Sequence, residues 1–366
     1  MRDARLAVMS AGMREIGDLI SAASGCTIVS WQMGLAALWC DGIAGWGHKV
    51  TADAARLAAA RFNVPYVAVE DGWLRSIHAG ATEKPRSLVV DKSGIYYNAG
   101  QPSDLEKLIT TSALLTDMYR LDRARRGIEL LRSAAISKYN NGAWLTEAEL
   151  GLDVTPRRPR VLVVDQTRGD ASISLGLASE ASFRTMLAAA VSENPGAEVI
   201  VKTHPEVVSG RKAGYLGSID GNDIAVVADA VNPWALLEAV DKVYVVTSQL
   251  GFEALMCGCR VTCFGAPFYA GWGLTDDRVT VARRTARPTL EQVFAAAYFD
   301  YAVYLDPSTG HRVTFEDTVA ALQADRQRLL PSWSGAGGAA SARRDQHQAA
   351  RLQRREMAAP ATACHA

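Results

Sequence analysis

Short apolar runs that alternate with helix-like stretches restrict this chain to the α/β class. In the first half, the runs RLAVMS, CTIVSWQ, DGIAGWG and PYVAVEDGW alternate with stretches such as the Ala-rich residues 51–62. This alternation is typical of a parallel sheet whose strands are joined by crossover helices. The second half repeats it, with strands predicted at RVLVVD, AEVIVKTHP, IAVVAD, KVYVVTS and RVTCFG. We therefore expect two α/β units.

A polar segment separates the two halves. Residues 150–160 contain two prolines and three arginines, and such a stretch ends helices and cannot bury a core. We predict one Rossmann-like domain over residues 1–150 and a second over residues 158–330. The two domains should face a central cleft, with ligands bound beyond the carboxyl ends of the strands.

Charge and composition exclude several classes of protein. Acidic and basic residues balance at 39 each, which gives no polybasic signature for a nucleic-acid partner. The Ala- and Gly-rich residues 334–366 are basic; we predict a disordered tail, with attraction to an anionic membrane surface as the alternative. None of the six cysteines forms a CxxC pair, so reduced thiols are expected. No signal peptide or membrane-spanning run is evident, so we expect a cytoplasmic protein.

Polar residues follow the first strand of the second unit. The stretch VVDQTRGDAS places Asp165, Gln166 and Asp170 directly after an apolar run. In a doubly wound sheet this loop opens over the ligand crevice. The alternative is a solvated loop that only caps the next helix.

Two further strand ends of the second unit suit an anionic ligand. Lys202 and His204 precede Pro205 at one of them, where a cation and an imidazole fit a phosphate, although a structural histidine remains the alternative. Thr247 and Ser248 end another strand and begin a helix, where free N–H groups favour a phosphate. The following residues of that helix supply two more candidates, Gly251 for close approach of the ligand and Glu253 for a ribose diol. The alternative is a helix cap at Ser248 with a solvated Glu253.

The first unit contributes a carboxylate-rich strand end. Glu70 and Asp71 follow the run PYVAV, and Arg75 comes four residues later. A carboxylate there would face the second unit and act as general acid or base, whereas a simple surface turn is the alternative.

The run SLVVDKSGIYYN predicts a hairpin about residues 92–94. The Gly- and aromatic-rich residues 265–277 are predicted to wall a pocket.

Several enzyme classes lose support because their motifs are missing. The sequence contains no Walker P-loop, no GxGxxG after the first strand and no Cys/His set with zinc-site spacing. Kinase, NAD-dehydrogenase and zinc-enzyme functions are therefore disfavoured.

Eight motifs in order carry a family resemblance. They are GWGHK at 45–49, EDGWLRS at 70–76, GIYYN at 94–98, SKYN at 137–140, DQTRGDASI at 165–173, KTHP at 202–205, SQLGFEALMCG at 248–258 and FGAPFYAGWGLTDD at 264–277. Together they resemble the capsule polysaccharide synthesis proteins of the KpsC type. The resemblance covers residues from about 40 to 330. Family members carry two such modules in tandem, and this chain resembles the N-terminal one, with EDGWLRS where EDGF followed by LRS is expected.

The resemblance implies a GT-B-like fold and a retaining β-Kdo glycosyltransferase. The donor would be CMP-Kdo and the acceptor a Kdo-terminated (lyso)phospholipid, on which an oligo-Kdo linker for capsular polysaccharide is built in Gram-negative bacteria. It also implies peripheral association with the inner membrane and the capsule export machinery. We expect no metal and no cofactor, because cationic and helix-terminal groups can stabilise the departing CMP.

The resemblance also assigns roles to individual residues. Asp170 matches the acidic loop position and is the expected nucleophile; Asp165 is the second choice, since related modules have Gly there. Glu70 matches the acid/base. The remaining matches are substrate-binding residues, with the CMP phosphate and ribose assigned to the second unit: Gln166, Lys202, His204, Pro205, Thr247, Ser248, Gln249, Glu253, Asp71 and Arg75. Two alternatives stay open, a nucleotide-sugar epimerase of similar shape and an inactive scaffold of a capsule assembly complex.

Overall fold

Two six-stranded sheets form the framework of the computed structural model. It describes residues 4–31, 39–80, 82–114, 116–152, 158–203, 213–217, 224–228, 230–331 and 333. The strands are β1 (Arg5–Val8), β2 (Thr27–Ser30), β3 (Gly42–Trp46), β4 (Tyr66–Asp71), β5 (Ser87–Asp91), β6 (Arg160–Val164), β7 (Glu198–Lys202), β8 (Ile224–Val227), β9 (Lys242–Val245), β10 (Arg260–Cys263), β11 (Asp276–Asp277) and β12 (Ala302–Tyr304). The predicted α/β, GT-B-like class with two Rossmann-like domains is confirmed.

The first sheet has the order β12-β5-β4-β3-β1-β2, and the second has the order β11-β10-β9-β6-β7-β8. All pairs described in the second sheet are parallel. In the first sheet β5 runs against its two neighbours. Parallel strands place their carboxyl ends at one edge, which brings the loops after β3, β4, β6 and β9 toward a common cleft.

Helices of ordinary length cover the sheets. They are α1 (Ala11–Glu15), α2 (Gly17–Ser24), α3 (Asp53–Phe62), α4 (Asp104–Ser112), α5 (Met118–Ala134), α6 (Ala171–Leu175), α7 (Glu180–Ser192), α8 (Pro233–Glu238), α9 (Leu250–Met256), α10 (Leu290–Phe294) and α11 (Phe315–Leu329), with a π-helix at Ala295–Tyr301. Local sequence explains their ends. Ser103 caps α4 by accepting from Glu106 N, and Asn63 ends α3 in the left-handed region.

The chain returns to the first sheet near its end. The sequence prediction places residues 158–330 in one domain, but β12 pairs antiparallel with β5 of the first sheet. Helix α11 likewise packs against α5. The two sheets are therefore not two consecutive halves of the chain, and this difference arises because the last strand adds to an edge that local patterning does not reveal.

The two domains share one hydrophobic core. Trp73 from the loop after β4 packs on Phe268, Tyr298 and Tyr301, and its indole N–H donates to Ala297 O at 2.7 Å. The core cluster that contains Trp73 continues through strands of both sheets. Burial of large aromatic rings on both sides stabilises the junction and fixes how the strand ends face each other.

A buried ion cluster also joins the domains. Glu106 on α4 accepts from Arg283 Nε at 2.5 Å and from Arg284 Nε at 3.1 Å. Arg284 further donates to the carbonyls of Pro267 and Ala270. The carboxylate thus anchors the loop after β10 to the first domain, because breaking such a pair would leave a buried guanidinium without its counter-charge.

The predicted basic tail, residues 334–366, lies outside the described residues. The cysteines at positions 26, 40, 257, 259 and 263 are free thiols. No helix in the described part of the chain is long and apolar enough to span a bilayer.

Candidate active site

Glu70 lies buried at the end of β4, at the wall of the cleft. Lys49 from the loop after β3 forms an ion pair with it, with Nζ 3.1 Å from Oε2 and 3.3 Å from Oε1. The Tyr97 hydroxyl donates to Oε2 at 3.4 Å, and Asp71 N donates to Oε1 at 3.3 Å. The carboxylate is therefore held by a cation and two neutral donors, an arrangement that fixes its orientation.

The loop after β3 fits tightly against this carboxylate. Gly47 has φ +54°, and a Cβ there would overlap the Tyr97 hydroxyl. The Tyr66 hydroxyl donates to Gly47 O at 2.5 Å. Only glycine permits both the backbone conformation and the close approach, so Gly47 allows the loop to bring Lys49 to Glu70.

Asp71 and Arg75 form an ion pair next to Glu70. Arg75 Nε lies 3.0 Å from Asp71 Oδ2, and both side chains are largely buried. Arg75 also donates to Ser76 Oγ at 2.9 Å. The other carboxylate oxygen, Asp71 Oδ1, is buried and makes no hydrogen bond within the described residues. The pair stiffens the loop that follows Glu70.

Asp165 is a buried carboxylate that holds the backbone of its own loop. Its Oδ1 accepts from Gln166 N at 2.9 Å and from Tyr215 N at 3.1 Å. Burial raises the pKa of Asp165, while these backbone donors act in the opposite direction. Its hydrogen bonds are thus made to the protein rather than toward the cleft.

Gln166 connects three segments of the second domain. Its Oε1 accepts from Thr247 N at 3.0 Å, and its Nε2 lies 3.2 Å from Thr247 Oγ1. Thr247 Oγ1 is also 2.9 Å from Ser172 Oγ at the start of α6. The loops after β6 and β9 are consequently locked together, which fixes the position of Asp170 between them.

Asp170 is exposed at the N-terminus of α6. Its Oδ1 accepts from Ser172 N at 2.9 Å and caps the helix, and Gln166 Nε2 lies 3.4 Å from Oδ2. A cap uses one oxygen and leaves the second oxygen with only this long contact. The carboxylate is therefore oriented and still accessible.

Tyr96 links the carboxylates of the two domains. Burial raises the pKa of its phenol, and the charges of Glu70, Tyr97, Asp170 and Asp71 raise it further. Glu70 and Asp71 belong to the first domain and Asp170 to the second, so carboxylates of both domains raise the pKa of one phenol. Ala99 N, three residues after Tyr96, donates to Leu175 O of α6 at 2.8 Å, which joins the loop beside Glu70 to the helix that Asp170 caps.

Residues 248–251, which follow β9, pack differently from the sequence-based expectation. A Cβ at Gly251 would overlap the Tyr269 hydroxyl, which donates to Ser248 O at 2.5 Å. Gly251 therefore makes room for Tyr269, not for a ligand as predicted. The Ser248 hydroxyl accepts from Leu250 N at 3.2 Å, and the buried Gln249 Nε2 makes no hydrogen bond within the described residues.

The aromatic stretch 265–277 also belongs to the core. Phe268, Tyr269 and Trp272 are buried, and Trp272 Nε1 donates to Phe268 O at 2.8 Å. The prediction that these rings wall a pocket is wrong for Trp272. Its ring packs under Arg284 at the domain junction, where long-range contacts decided its burial.

Glu253 points from α9 into the domain junction. It is 4% exposed, and Ser137 Oγ of the SKYN motif donates to its Oε1. Burial raises the pKa of Glu253 from 4.5 to about 7, opposed by the Ser137 hydrogen bond and the charge of Lys138. The residue predicted for the ribose is thus contacted from the opposite domain.

We expect Glu253 to make stability depend on pH. Its folded-state pKa is about 7 against 4.5 for the free carboxyl, so the folded protein keeps a proton that the unfolded chain loses. The free energy of unfolding should therefore fall as pH rises from about 4.5 to about 7, by about 3 kcal/mol from this group. Glu253→Gln should remove this part of the dependence, measured by urea unfolding at pH 4.5 and pH 8.

The control for this experiment is Glu316→Gln. The hydrogen bond from Arg123 lowers the pKa of Glu316, so its contribution to stability is lost on acidification instead. A difference between wild type and Glu253→Gln that is the same at both pH values would show that folding does not raise the pKa of Glu253.

The residues predicted to bind the phosphate are described only in part. Lys202 ends β7, and its backbone carbonyl accepts from Asp165 N at 2.9 Å. His204 and Pro205 lie outside the described residues.

Two Rossmann-like sheets that face a carboxylate-lined cleft define a GT-B-like protein. Comparison with known proteins shows the family to which it belongs.

The chain belongs to the family described as "Capsule polysaccharide biosynthesis protein", which matches residues 41–306. It is 40% identical over 296 residues to the capsule polysaccharide modification protein LipA of Neisseria meningitidis serogroup B, covering 79% of this chain and 42% of LipA. It is also 40% identical to the lipopolysaccharide-processing protein LpsZ of Rhizobium meliloti, over 75% of this chain and 62% of LpsZ. The chain thus spans less than half the length of LipA.

Two solved structures from Thermosulfurimonas dismutans resemble this one. The KpsC β Kdo 2,4 transferase is 42% identical with a TM-score of 0.81, and the KpsC β Kdo 2,7 transferase is 28% identical with a TM-score of 0.66. Each comparison covers 88% of this chain and 99% of the other chain. The predicted resemblance to proteins of the KpsC type is confirmed.

Sequence reasoning missed residues that surround the predicted ones. Lys49 and Tyr97 contact Glu70, and Ser137 contacts Glu253. Burial and the charges of Glu70 and Asp170 raise the pKa of Tyr96. All four lie in the quoted motifs GWGHK, GIYYN and SKYN. The signal was present, since loops that follow strands carry polar and aromatic residues there, but their partners are distant along the chain.

Proposed function

We propose that this chain is a retaining β-Kdo glycosyltransferase that uses CMP-Kdo as donor and a Kdo-terminated glycolipid as acceptor. One observation carries the proposal: Glu70 and Asp170, from opposite domains, both act on the pKa of the partly buried Tyr96, and Ala99 N after Tyr96 donates at 2.8 Å to Leu175 O of the helix that Asp170 caps. Retention by double displacement requires two carboxyl groups at one sugar, one as nucleophile and one to manage the proton. The likeness to the two KpsC transferases supports Kdo as the sugar.

The first step uses the second domain. An oxygen of Asp170 attacks the anomeric carbon of Kdo, the bond from that carbon to the CMP phosphate oxygen breaks, and CMP leaves as an anion. We assign the phosphate to Lys202, His204, Pro205, Thr247 and Ser248, and the nucleoside side to Gln249 and Glu253. Positive and N–H groups at the phosphate stabilise the departing charge, so the proposal includes no metal ion.

The second step uses the first domain. An acceptor hydroxyl attacks the anomeric carbon, Glu70 takes its proton, and the bond to Asp170 breaks to regenerate the carboxylate. Asp71 and Arg75 hold the loop of Glu70, and Gln166 holds that of Asp170. Asp165 is the less suitable nucleophile because it accepts two backbone N–H groups.

The proposal also specifies the linkage that the transfer forms. This chain is more similar to the β Kdo 2,4 transferase than to the β Kdo 2,7 transferase, in identity and in TM-score. We therefore propose transfer to the 4-hydroxyl of the acceptor Kdo. The glycolipid acceptor would bring the protein to the cytoplasmic face of the inner membrane and to the capsule export machinery.

Incubation of the purified chain with CMP-Kdo and a synthetic Kdo-terminated acceptor tests the proposal. We expect the acceptor mass to rise by one Kdo unit and NMR of the product to show a β-2,4 linkage. CMP release with sugar product but no acceptor requirement would instead indicate an epimerase. If the incubation gave no CMP release and no transfer of Kdo, the proposed activity of this chain would be refuted.

A further inference from the structure

His48 is a partly buried histidine that lies next to the proposed acid/base and has no role in the steps above. Its backbone N–H donates to the Tyr97 hydroxyl at 2.8 Å, and the same hydroxyl donates to Glu70. Its ring nitrogen Nδ1 lies 3.1 Å from Asn98 Nδ2. The GIYYN motif thus contacts both the backbone and the imidazole ring of His48.

The hydrogen bonds around Asn98 determine which ring nitrogen carries the proton. Asn98 Oδ1 accepts from Gly100 N at 3.0 Å, which leaves the amide nitrogen facing His48. An amide nitrogen can only donate, so Nδ1 of His48 must accept. In a neutral imidazole the proton then resides on Nε2.

The surroundings keep the ring neutral. Burial lowers the pKa of His48, and the positive charge of Arg56 on α3 lowers it further. The other titratable groups around it are Lys49 in the same loop, Tyr66 and Glu70 of β4, and Tyr97 after β5. At neutral pH His48 therefore presents one N–H donor, and its Nε2 makes no hydrogen bond to any described residue.

We propose that His48 binds the acceptor sugar, its Nε2–H donating to the hydroxyl adjacent to the attacking one, and that Asn98 is the positioning residue that fixes the tautomer. This inference rests on the proposed function and specifies the acceptor side of the same site. Glu70 then takes the proton from one hydroxyl while His48 holds its neighbour, which selects a sugar with two adjacent hydroxyls in the correct arrangement.

Kinetics with two acceptors test the contact. One acceptor is Kdo-terminated, and the other lacks only the hydroxyl adjacent to the attacked position. We expect His48→Phe to lower kcat/KM about 10- to 100-fold on the first, chiefly through KM, and to change it less than about threefold on the second. His48→Gln retains an N–H donor and should recover most of the loss. An equal loss on both acceptors for both variants would overturn the contact.

Nitrogen-15 NMR of the histidine rings tests the tautomer without any substrate. We expect His48 to be neutral with Nε2–H at pH 7. We expect the Asn98→Asp carboxylate to draw the proton to Nδ1, which removes the Nε2–H donor and gives the same kinetic loss as His48→Phe. His311→Phe, an exposed histidine away from the cleft, is the assignment and folding control. An Nδ1–H or charged ring in the wild type overturns the inference. A wild type that shows the expected tautomer but transfers no Kdo refutes the proposed function and with it the acceptor contact.

Discussion

Asp170→Asn is expected to abolish Kdo transfer, lowering kcat at least about 10³-fold, without weakening the fold. The variant removes the nucleophilic oxygen but keeps the helix cap, because asparagine caps a helix about as well as aspartate does. In the wild type, Asp170 Oδ1 accepts from Ser172 N, an interaction that the asparagine Oδ1 can retain. Mass spectrometry of intact protein after a brief incubation with CMP-Kdo should show a Kdo-sized adduct on the wild type and none on the variant.

A matched control is available at another helix. Asp117 caps α5 by accepting from Tyr119 N and Arg120 N, in the same way and far from the cleft carboxylates. Asp117→Asn should therefore retain full transfer and the adduct. If Asp170→Asn still formed the adduct, the nucleophile would be another group, and Asp165→Asn would be the next variant to assay.

Local patterns predicted much of the framework. Strands β3, β4, β6 and β10 lie where apolar runs indicated them, and Ser103 caps α4 as its spacing suggested. These features depend on neighbouring residues, so the sequence shows them directly. In the described part of the chain, however, no hairpin forms about residues 92–94. Strand β5 pairs with β4 on one edge and with β12 on the other, and Asp91 Oδ1 accepts from Ser93 N and Gly94 N where the strand ends.

Contacts between distant residues were not predictable from local patterns. Trp73 donates to Ala297 across 224 positions of the chain, and β12 returns to the first sheet by a similar distance. Gly251 and Trp272 resembled ligand-binding residues but pack against Tyr269 and Arg284. A glycine or an aromatic ring suits a core contact as well as a ligand contact, so only the three-dimensional arrangement distinguishes the two.

The same limit applies to the carboxylates of the cleft. Sequence placed Glu70 and Asp170 at strand ends, yet it gave no reason to rank Asp170 above Asp165 apart from family resemblance. The structure supplies one, since Asp165 is buried against backbone N–H groups and Asp170 is exposed. Accessibility of a carboxylate depends on which backbone donors reach it, and the segment around Tyr215 lies 50 residues away from Asp165.

Glu70→Gln should separate the two steps of the proposed reaction. CMP leaves as an anion and needs no proton, so formation of the Kdo adduct on Asp170 should remain close to the wild-type rate. Transfer to the acceptor should fall about 10²- to 10⁴-fold, because no group remains to take the proton from its hydroxyl. Rapid-quench measurements would then show a burst of CMP equal to the enzyme concentration, with the adduct accumulating in the presence of acceptor.

The structure indicates why this variant should remain folded. Glutamine keeps one oxygen to accept from Asp71 N, and its amide nitrogen, in place of Oε2, can donate to the Tyr97 hydroxyl. The exposed Lys49 ammonium can be hydrated once its ion-pair partner is lost. Glu316→Gln, which removes a surface carboxylate paired with Arg123, is the control and should leave both steps unchanged. If Glu70→Gln slowed adduct formation as much as transfer, Glu70 would be needed for the departure of CMP. Its role would then be on the donor sugar and not on the acceptor hydroxyl.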